Sequence, residues 1–357
     1  MIEYATGNLL EANAEALVNT VNTVGVMGKG IALQFKQAWP ENFKSYAKAC
    51  KAGEVVPGKM FIYELKETFN PHFIINFPTK RHWKQKSHIQ DIKIGLETLI
   101  DEIKQRGIQS IALPPLGCGN GGLSWSEVRP LIEQAFANIP EVQVLLYAPN
   151  STPDARTMPI GTEKPNMTEA RALFIKLIER YSSLHYRLTL LEIQKLAYFL
   201  QIAGQPLRLN YKAFHYGPYA HNLNKVLEIL EGHYIRGYGD SQKPDATIEL
   251  LPNAVQEADK FLEEKSQSIE RLHSVSKLIE GFETPYGMEL LATIHWLNDQ
   301  QNACELQEVI TGIKSWNNRK AQLMKPRHIE KAWNRLLEQG WVDIKGGCNN
   351  NISTTIN

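Results

Sequence analysis

"LPPLGCGNGGLSW", residues 113–125, sets four glycines and two prolines in thirteen positions. A run so poor in side chains lets backbone N–H groups come within hydrogen-bond reach of a neighbour and allows positive φ. It continues "SIALPPLG" (110–117), which reads as a buried strand running into the loop. An S-x-x-E pattern follows at Ser124 and Glu127, the signature of a capping box. Val128, Leu131, Ile132, Ala135, Phe136 and Ile139 then recur at helical spacing. Strand, glycine loop and helix start together outline an anion site, because the first amides of a helix lack partners and the dipole is positive there.

Upstream, the same grammar occurs a second time. "ALVNTVN" (16–22) is a short β-rich run, "GVMGKG" (25–30) is a glycine loop, and "IALQFKQA" is a helix that must stop before Pro40. "KMFIYEL" (59–65) and "HFIINFP" (72–78) read as strands, and "VQVLLYAP" closes the unit. Ser87 and Gln90 predict a capping box for a helix with Ile92, Leu96, Leu99, Ile100 and Ile103 on one face. Strands alternating with helices predict an α/β sandwich around a mixed sheet. Two glycine loops at the carboxyl ends of strands could clamp a diphosphate from both sides; the plainer alternative is a pair of tight turns. The spacing is neither G-x-G-x-x-G nor Walker A, since Gly30 and not Ser or Thr follows Lys29. That disfavours a dinucleotide dehydrogenase or a P-loop enzyme.

The chain has 357 residues, 43% hydrophobic and 22% charged, with a formal net charge of +1. This is length for two or three domains and no global field for nucleic acid or membrane. There is no apolar run of membrane-spanning length, and "MIEYATGNLL" lacks the features of a signal peptide. Cys50, Cys118, Cys304 and Cys348 show no metal-ligand spacing, which predicts reduced thiols, a cytoplasmic protein and no metal.

"TGNLLEANAEALVNTVN", "GVMGKGIALQFK" and "LPPLGCGNGGLSW", in that order and spacing, resemble a macrodomain, an ADP-ribose-binding fold. The resemblance covers residues 1–152 and implies a three-layer α/β/α sandwich with a mixed sheet. It implies that Asn8, with Leu9, holds the adenine. Val26, Met27, Gly28, Lys29, Gly30 and Ile31 would wrap the distal ribose and diphosphate. Leu116, Gly117, Cys118, Gly119, Asn120, Gly121, Gly122 and Leu123 would close over the diphosphate. "MGKGIA" and "GCG" are similar to the branch that holds the human terminal ADP-ribose glycohydrolase and the bacterial antitoxins that strip ADP-ribose from thymidine in single-stranded DNA.

"NFPTKRHWKQKS" (76–87) lies at the end of a strand and holds Lys80, Arg81, Lys84 and Lys86 around His82 and Trp83. A lysine crowded by cations and partly desolvated has a lowered pKa, and its neutral amine can attack an anomeric carbon. In the glycohydrolase branch the catalytic lysine follows this strand, and the matching residue is Lys80, with Thr79 beside the ligand. Arg81, Trp83 and Lys84 would form a rim for DNA, the cations on phosphate and the indole stacking on a base. The resemblance also implies that Asn22 points into the pocket and orients a water or the ribose. One departure stands out: the human-type enzyme has an aspartate where this chain has Gly121. Cys118 has no His or Asp partner at recognisable spacing and reads as a small loop residue.

Residues 153–167 carry prolines without periodicity and read as a linker. From 168 to 345 the texture is helical, including "TLLEIQKLAYFLQ" with a T-x-x-E box at Thr189 and Glu192. Residues 346–357 read as a disordered tail. "QKLAYFLQ" and "YGPYA" resemble the Panacea, or SocA-like, antitoxin domains. Gln194, Lys195, Tyr198, His215, Tyr216, Tyr219 and His221 gather around that motif as interface or as core. The two resemblances imply an antitoxin, a monomer when free, with two partners: ADP-ribosylated single-stranded DNA and a cognate DarT-like DNA ADP-ribosyltransferase toxin. No cofactor or membrane is implied. The alternatives are a non-catalytic ADP-ribose reader, a glycohydrolase acting on ADP-ribosylated protein, and a second half that binds nucleic acid.

Overall fold

The computed structural model describes residues 1–149, 158–182, 188–239 and 247–342. The chain forms two compact units, Met1–Lys164 with Gly239–Gln242, and Pro165–Tyr238 with Lys243–Asn357.

The first unit is built on a six-stranded sheet: β1 (Ile2–Ala5), β2 (Ala16–Asn22), β3 (Phe61–Glu64), β4 (Phe73–Lys80), β5 (Ser110–Leu113) and β6 (Gln143–Tyr147). The spatial order is β1-β6-β5-β2-β4-β3. Every neighbouring pair is parallel except β3 with β4. Strand alternation sorts the apolar side chains onto two faces. Val18, Phe77, Ile111 and Leu113 pack under α3 (Ile89–Arg106) and α4 (Trp125–Phe136). Leu17, Ile74 and Ala112 pack on the other face with Phe35 of α1 (Gly30–Ala38). Beside them, Tyr46 and Ala49 of α2 (Pro40–Lys51) join Val21 and Met27. The result is the three-layer α/β/α sandwich with a mixed sheet that the sequence implied.

Local signals fared unevenly. Pro40 ends α1 and also opens α2 as its first residue, where a missing N–H costs nothing. Strand β1 was not foreseen. The Ser87 box does not form: α3 begins at Ile89, and Ser87 is buried beneath the second glycine loop. Ser124 is the N-cap of α4, but its hydroxyl pairs with Ser126 Oγ at 2.7 Å instead of capping.

The second unit contains α5 (Glu169–Ser182), α6 (Leu190–Ile202), the hairpin β7 (Tyr211–Phe214) and β8 (Gly217–Ala220), α7 (Leu223–Leu230), and the short pair β9 (Ile235–Arg236) and β10 (Glu249–Leu250). Six helices follow: α8 (Ala254–Leu262), α9 (Ser266–Ile279), α10 (Pro285–Gln301), α11 (Leu306–Trp316), α12 (Asn318–Leu323) and α13 (Pro326–Glu338). The Thr189–Glu192 box is realised, the carboxylate accepting the Thr189 N–H at 2.7 Å. Gln194, Lys195 and Tyr198 are core residues, whereas His215 and His221 are exposed. Of the predicted linker, Met158 is buried and the Gly161 N–H donates to the Gln37 carbonyl at 2.7 Å, so this part is tied to the first unit. Residues 153–157 and 346–357 lie outside the described residues. Cys50 and Cys118 are free thiols, but Cys304 is disulfide-bonded. Cys304 therefore departs from the reduced thiols that the spacing led us to expect. Among the described residues no helix is long and apolar enough to cross a membrane, and no group of His, Cys, Asp and Glu converges to hold a metal ion.

Candidate active site

Strand β4 carries polar residues through an apolar interior. Asn76 Oδ1 accepts from Asn19 Nδ2 at 2.9 Å, and Asn76 Nδ2 donates to Asn42 Oδ1 at 2.8 Å, tying β4 to β2 and α2. On the other face Gly95 lets α3 lie against the Phe77 ring, where a Cβ would collide. A strand fixed on both faces ends in Lys80, which is its last residue and not part of the following loop.

Lys80 Nζ donates to the Asn120 carbonyl of the second glycine loop. Partial burial alone pulls the pKa of its ammonium below the ordinary lysine value. The expected crowding by cations plays no part, because Arg81 turns away to the buried Asp91. Its Nη2 lies 3.1 Å from Asp91 Oδ1 and its Nε 3.3 Å from Oδ2. Thr23 Oγ1 donates to the Arg81 carbonyl at 2.6 Å, so the first loop grips the backbone beside the lysine.

The first loop is shaped by Asn22. Its Nδ2 donates to the Val26 carbonyl at 2.5 Å, while Oδ1 accepts from the N–H groups of Val24 (3.0 Å) and Val26 (3.3 Å). Tyr46, buried below, donates to the Asn22 carbonyl at 2.5 Å. The side chain of Asn22 thus folds back on its own loop, the arrangement of a positioning residue, where the resemblance implied one that orients water or ribose. Met27 is buried, Val26 is exposed, and Lys29 is the extended N-cap of α1, followed by Ile31 in its first turn. Gly30 sits at φ +60°, and a Cβ there would approach Asn120 Nδ2 to 3.1 Å, so the two loops face one another. The Gly30 N–H donates to the Gly239 carbonyl of the same unit at 2.6 Å. The Gly28 N–H has no acceptor among the described residues.

The second loop doubles back on itself: Leu123 N–H donates to the Gly117 carbonyl and Gly122 N–H to the Gly119 carbonyl, each at 3.0 Å. Gly117 and Gly122 adopt positive φ. The N–H groups of Gly119, Asn120 and Gly121 have no acceptor among the described residues. Leu116 is buried beneath, and Thr79 is buried with its hydroxyl 3.4 Å from the Val21 carbonyl. Burial pushes the Cys118 thiol up to about 11, which leaves it protonated and inert at neutral pH.

Asn8 caps a short 3-10 turn (Leu9–Glu11): its Oδ1 accepts the Leu10 N–H at 3.0 Å. Its Nδ2 is buried without an acceptor among the described residues, a donor that a purine ring nitrogen could satisfy. At the outer edge Trp83 is 41% exposed, stacked on His82, with Lys84 Nζ 4.9 Å from its ring. Arg81 is held by Asp91 and is not a free rim cation. The structure adds Asn19, Thr23, Asn42, Tyr46, Asn76, Ser87 and Asp91 as supports. The signal for the asparagines was present: polar residues inside the otherwise apolar runs "ALVNTVN" and "FIINF".

The sandwich, the two facing glycine loops and the strand-end lysine define a macrodomain; a model of the Macro domain family matches residues 18–132. A curated Thermus aquaticus protein, DNA ADP-ribosyl glycohydrolase, is 46% identical over 95% of this chain and 94% of its own length. The chain belongs to the DNA ADP-ribosyl glycohydrolase family, a family of hydrolases. A Thermosipho africanus protein named DNA ADP-ribosyl transferase-DNA ADP-ribosyl glycohydrolase fusion protein is 36% identical over 44% of this chain and 45% of its own length. Among solved structures, the macrodomain of Mycobacterium tuberculosis DarG is 53% identical, over 42% of this chain and 99% of that one, with a TM-score of 0.42.

Proposed function

We propose that the first unit releases ADP-ribose from thymidine in single-stranded DNA, and that the second neutralises a cognate DarT-like DNA ADP-ribosyltransferase by binding it. The observation that carries the first part is Lys80: an amine with lowered pKa, at the end of a rigid strand, touching the loop whose amides lack acceptors. In this reading adenine meets Asn8 and the diphosphate meets the backbone of Gly28 and Gly119–Gly121. The distal ribose then lies against Lys80.

The neutral Lys80 amine forms a bond to the anomeric carbon as the glycosidic C–N bond to thymine breaks. The base takes a proton on leaving. The sugar ring opens to a Schiff base on Lys80. Water then adds to that carbon, freeing ADP-ribose and restoring the amine. No carboxylate stands at Gly121 to assist, so the loop backbone and the Asn120 amide are the groups available to hold that water.

The toxin-binding part is supported by the fusion relative, whose name joins a transferase to a glycohydrolase, and by the antitoxin-like motif around Gln194 and Tyr216. The deciding experiment incubates the chain with an ADP-ribosylated oligonucleotide beside an ADP-ribosylated glutamate peptide. Release from the oligonucleotide, lost in Lys80→Ala, is expected. Release from the peptide alone makes the chain a protein-directed enzyme, and binding without release from either makes it a reader. Co-purification with a co-expressed toxin tests the second unit.

A further inference from the structure

The second unit holds a surface that glycosidic hydrolysis does not use. In the β7–β8 hairpin Lys212 pairs with Tyr219 and Phe214 with Gly217. Residues two apart share a strand face, so Lys212, Phe214 and Tyr219 lie on one side. His221, just beyond β8, completes an aromatic cluster. Ring centroids are 5.5 Å apart for Phe214–Tyr219, 4.9 Å for Tyr219–His221 and 6.1 Å for Phe214–His221. Phe214 is 55% exposed.

The hairpin is pinned from behind. Gln194 accepts the Ala220 N–H at 3.0 Å and donates to its carbonyl at 3.2 Å. Lys195 Nζ donates to the Pro218 carbonyl at 2.7 Å. Trp316 Nε1 and Asn317 Nδ2 donate to the carbonyls of Phe214 (2.9 Å) and His215 (3.1 Å). Exposed rings on a backbone held this firmly form a presented surface.

The two segments that build and pin it carry cations and no acids. Residues 193–227, which contain the hairpin, include no Asp or Glu, while Arg208, Lys212 and Lys225 are exposed. Residues 309–329, which supply Trp316 and Asn317, also include none, while Lys314, Lys325 and Arg327 are exposed. Glu289, which packs against this segment, is buried and held by Arg319 and Lys320. In a chain with 39 basic and 38 acidic residues, two acid-free segments meeting at one aromatic hairpin tilt the local charge toward cations, although Glu228 of α7 acts on the same Tyr238 hydroxyl as Tyr219 and so lies close by.

We propose that the hairpin is a second binding site, for single-stranded nucleic acid: bases stack on Phe214, Tyr219 and His221, and the surrounding lysines and arginines attract the phosphates. Stacking rings beside several exposed cations match a strand whose bases are unpaired. The proposal rests on the DNA-directed reading above and extends the grip on DNA beyond the modified nucleotide.

The test uses the full chain and a fluorescein-labelled oligothymidylate carrying no ADP-ribose, followed by fluorescence anisotropy. The expected results are binding that weakens with salt and poorer competition by duplex. Phe214→Ala and Tyr219→Ala each weaken binding about tenfold. Lys212→Ala lowers the slope of log affinity against log salt by about one. Melting curves matching the parent show that these exposed substitutions leave the fold intact. The proposal is overturned by absence of binding at low salt, by equal competition from duplex, or by parental affinity in the Phe214→Ala/Tyr219→Ala double variant. Loss of a toxin complex in that variant, with DNA affinity unchanged, also overturns it and makes the hairpin a protein-docking surface. The probe carries no ADP-ribose, so these outcomes are independent of the glycohydrolase reading, which is decided by release from the modified strand.

Discussion

Gly121 is locked onto Ser87: its carbonyl accepts the Ser87 N–H at 2.9 Å, and a Cβ at 121 would collide with Ser87 Oγ and the Gly117 carbonyl oxygen. The aspartate of the human-type enzyme therefore has no space here. The φ of Gly121 is not in the left-handed region, so the conflict is collision and not backbone strain. Gly121→Ala and Gly121→Asp should each weaken binding of free ADP-ribose at least about tenfold, read by titration calorimetry, because the loop must shift to admit the side chain. An aspartate variant that binds as the parent does and turns over faster would refute this account.

The lowered pKa of Lys80 gives two signs to check. As nucleophile it acts as the free base, so turnover should rise with pH along a limb below the ordinary lysine value of 10.5, then level. Lys80→Ala should cost about a thousandfold or more in turnover while ADP-ribose still binds. For stability, a lysine whose folded pKa is depressed penalises the folded state wherever it is charged in both states. The penalty fades as pH rises through the folded value toward the unfolded one. Lys80→Met should therefore raise the melting temperature at neutral pH.

Arg81 and Lys84 separate a tether from a rim. Arg81 is paired with buried Asp91, whereas Lys84 lies over the exposed Trp83. Removing Lys84 should lower the salt slope of oligonucleotide binding by about one, and Arg81→Ala should leave it unchanged. Arg81→Ala should instead lower the melting temperature, because the buried Asp91 loses its partner. Equal salt slopes in the two variants would return Arg81 to the rim.

Lys195 is buried near Lys320 and Glu289, and burial with the Lys320 charge brings its pKa down to about 7. Below that value the ammonium is charged whether folded or not, and the folded state bears the whole penalty. Between about 7 and 10.5 the folded protein has released this proton and the unfolded chain has not, so stability climbs with pH. Lys195→Met should melt a few degrees higher near pH 7, with the gap shrinking toward pH 10.5. A gap that stays constant or widens would show that the bond to Pro218 outweighs the burial penalty.

The sandwich was legible because its signals are local. Apolar runs of strand length, helical stripes such as Val128–Phe136 and two glycine loops lie within short windows of sequence. The placement of Lys80 at the end of a strand was legible from the apolar run before it. The cause of its lowered pKa was misread: sequence shows cations beside it, but only the fold shows Arg81 turned to Asp91. Ser87 was misread for a related reason. A serine three residues before a glutamine looks like a cap until a loop from elsewhere settles on it. For Asn22, at the end of β2, only the fold shows that its side chain also bonds its own loop. Strand β1 joins the sheet beside β6, a pairing across the length of the unit that no local window carries.

Because Lys80 sits on a strand riveted through Asn76 and Phe77, its backbone is anchored to the scaffold, while the flanking loops hang from it and from the helices by a few hydrogen bonds. Loops can remodel to suit a different base or a wider groove while the strand beneath the amine stays in place. In this architecture, recognition and bond cleavage can drift independently over evolution.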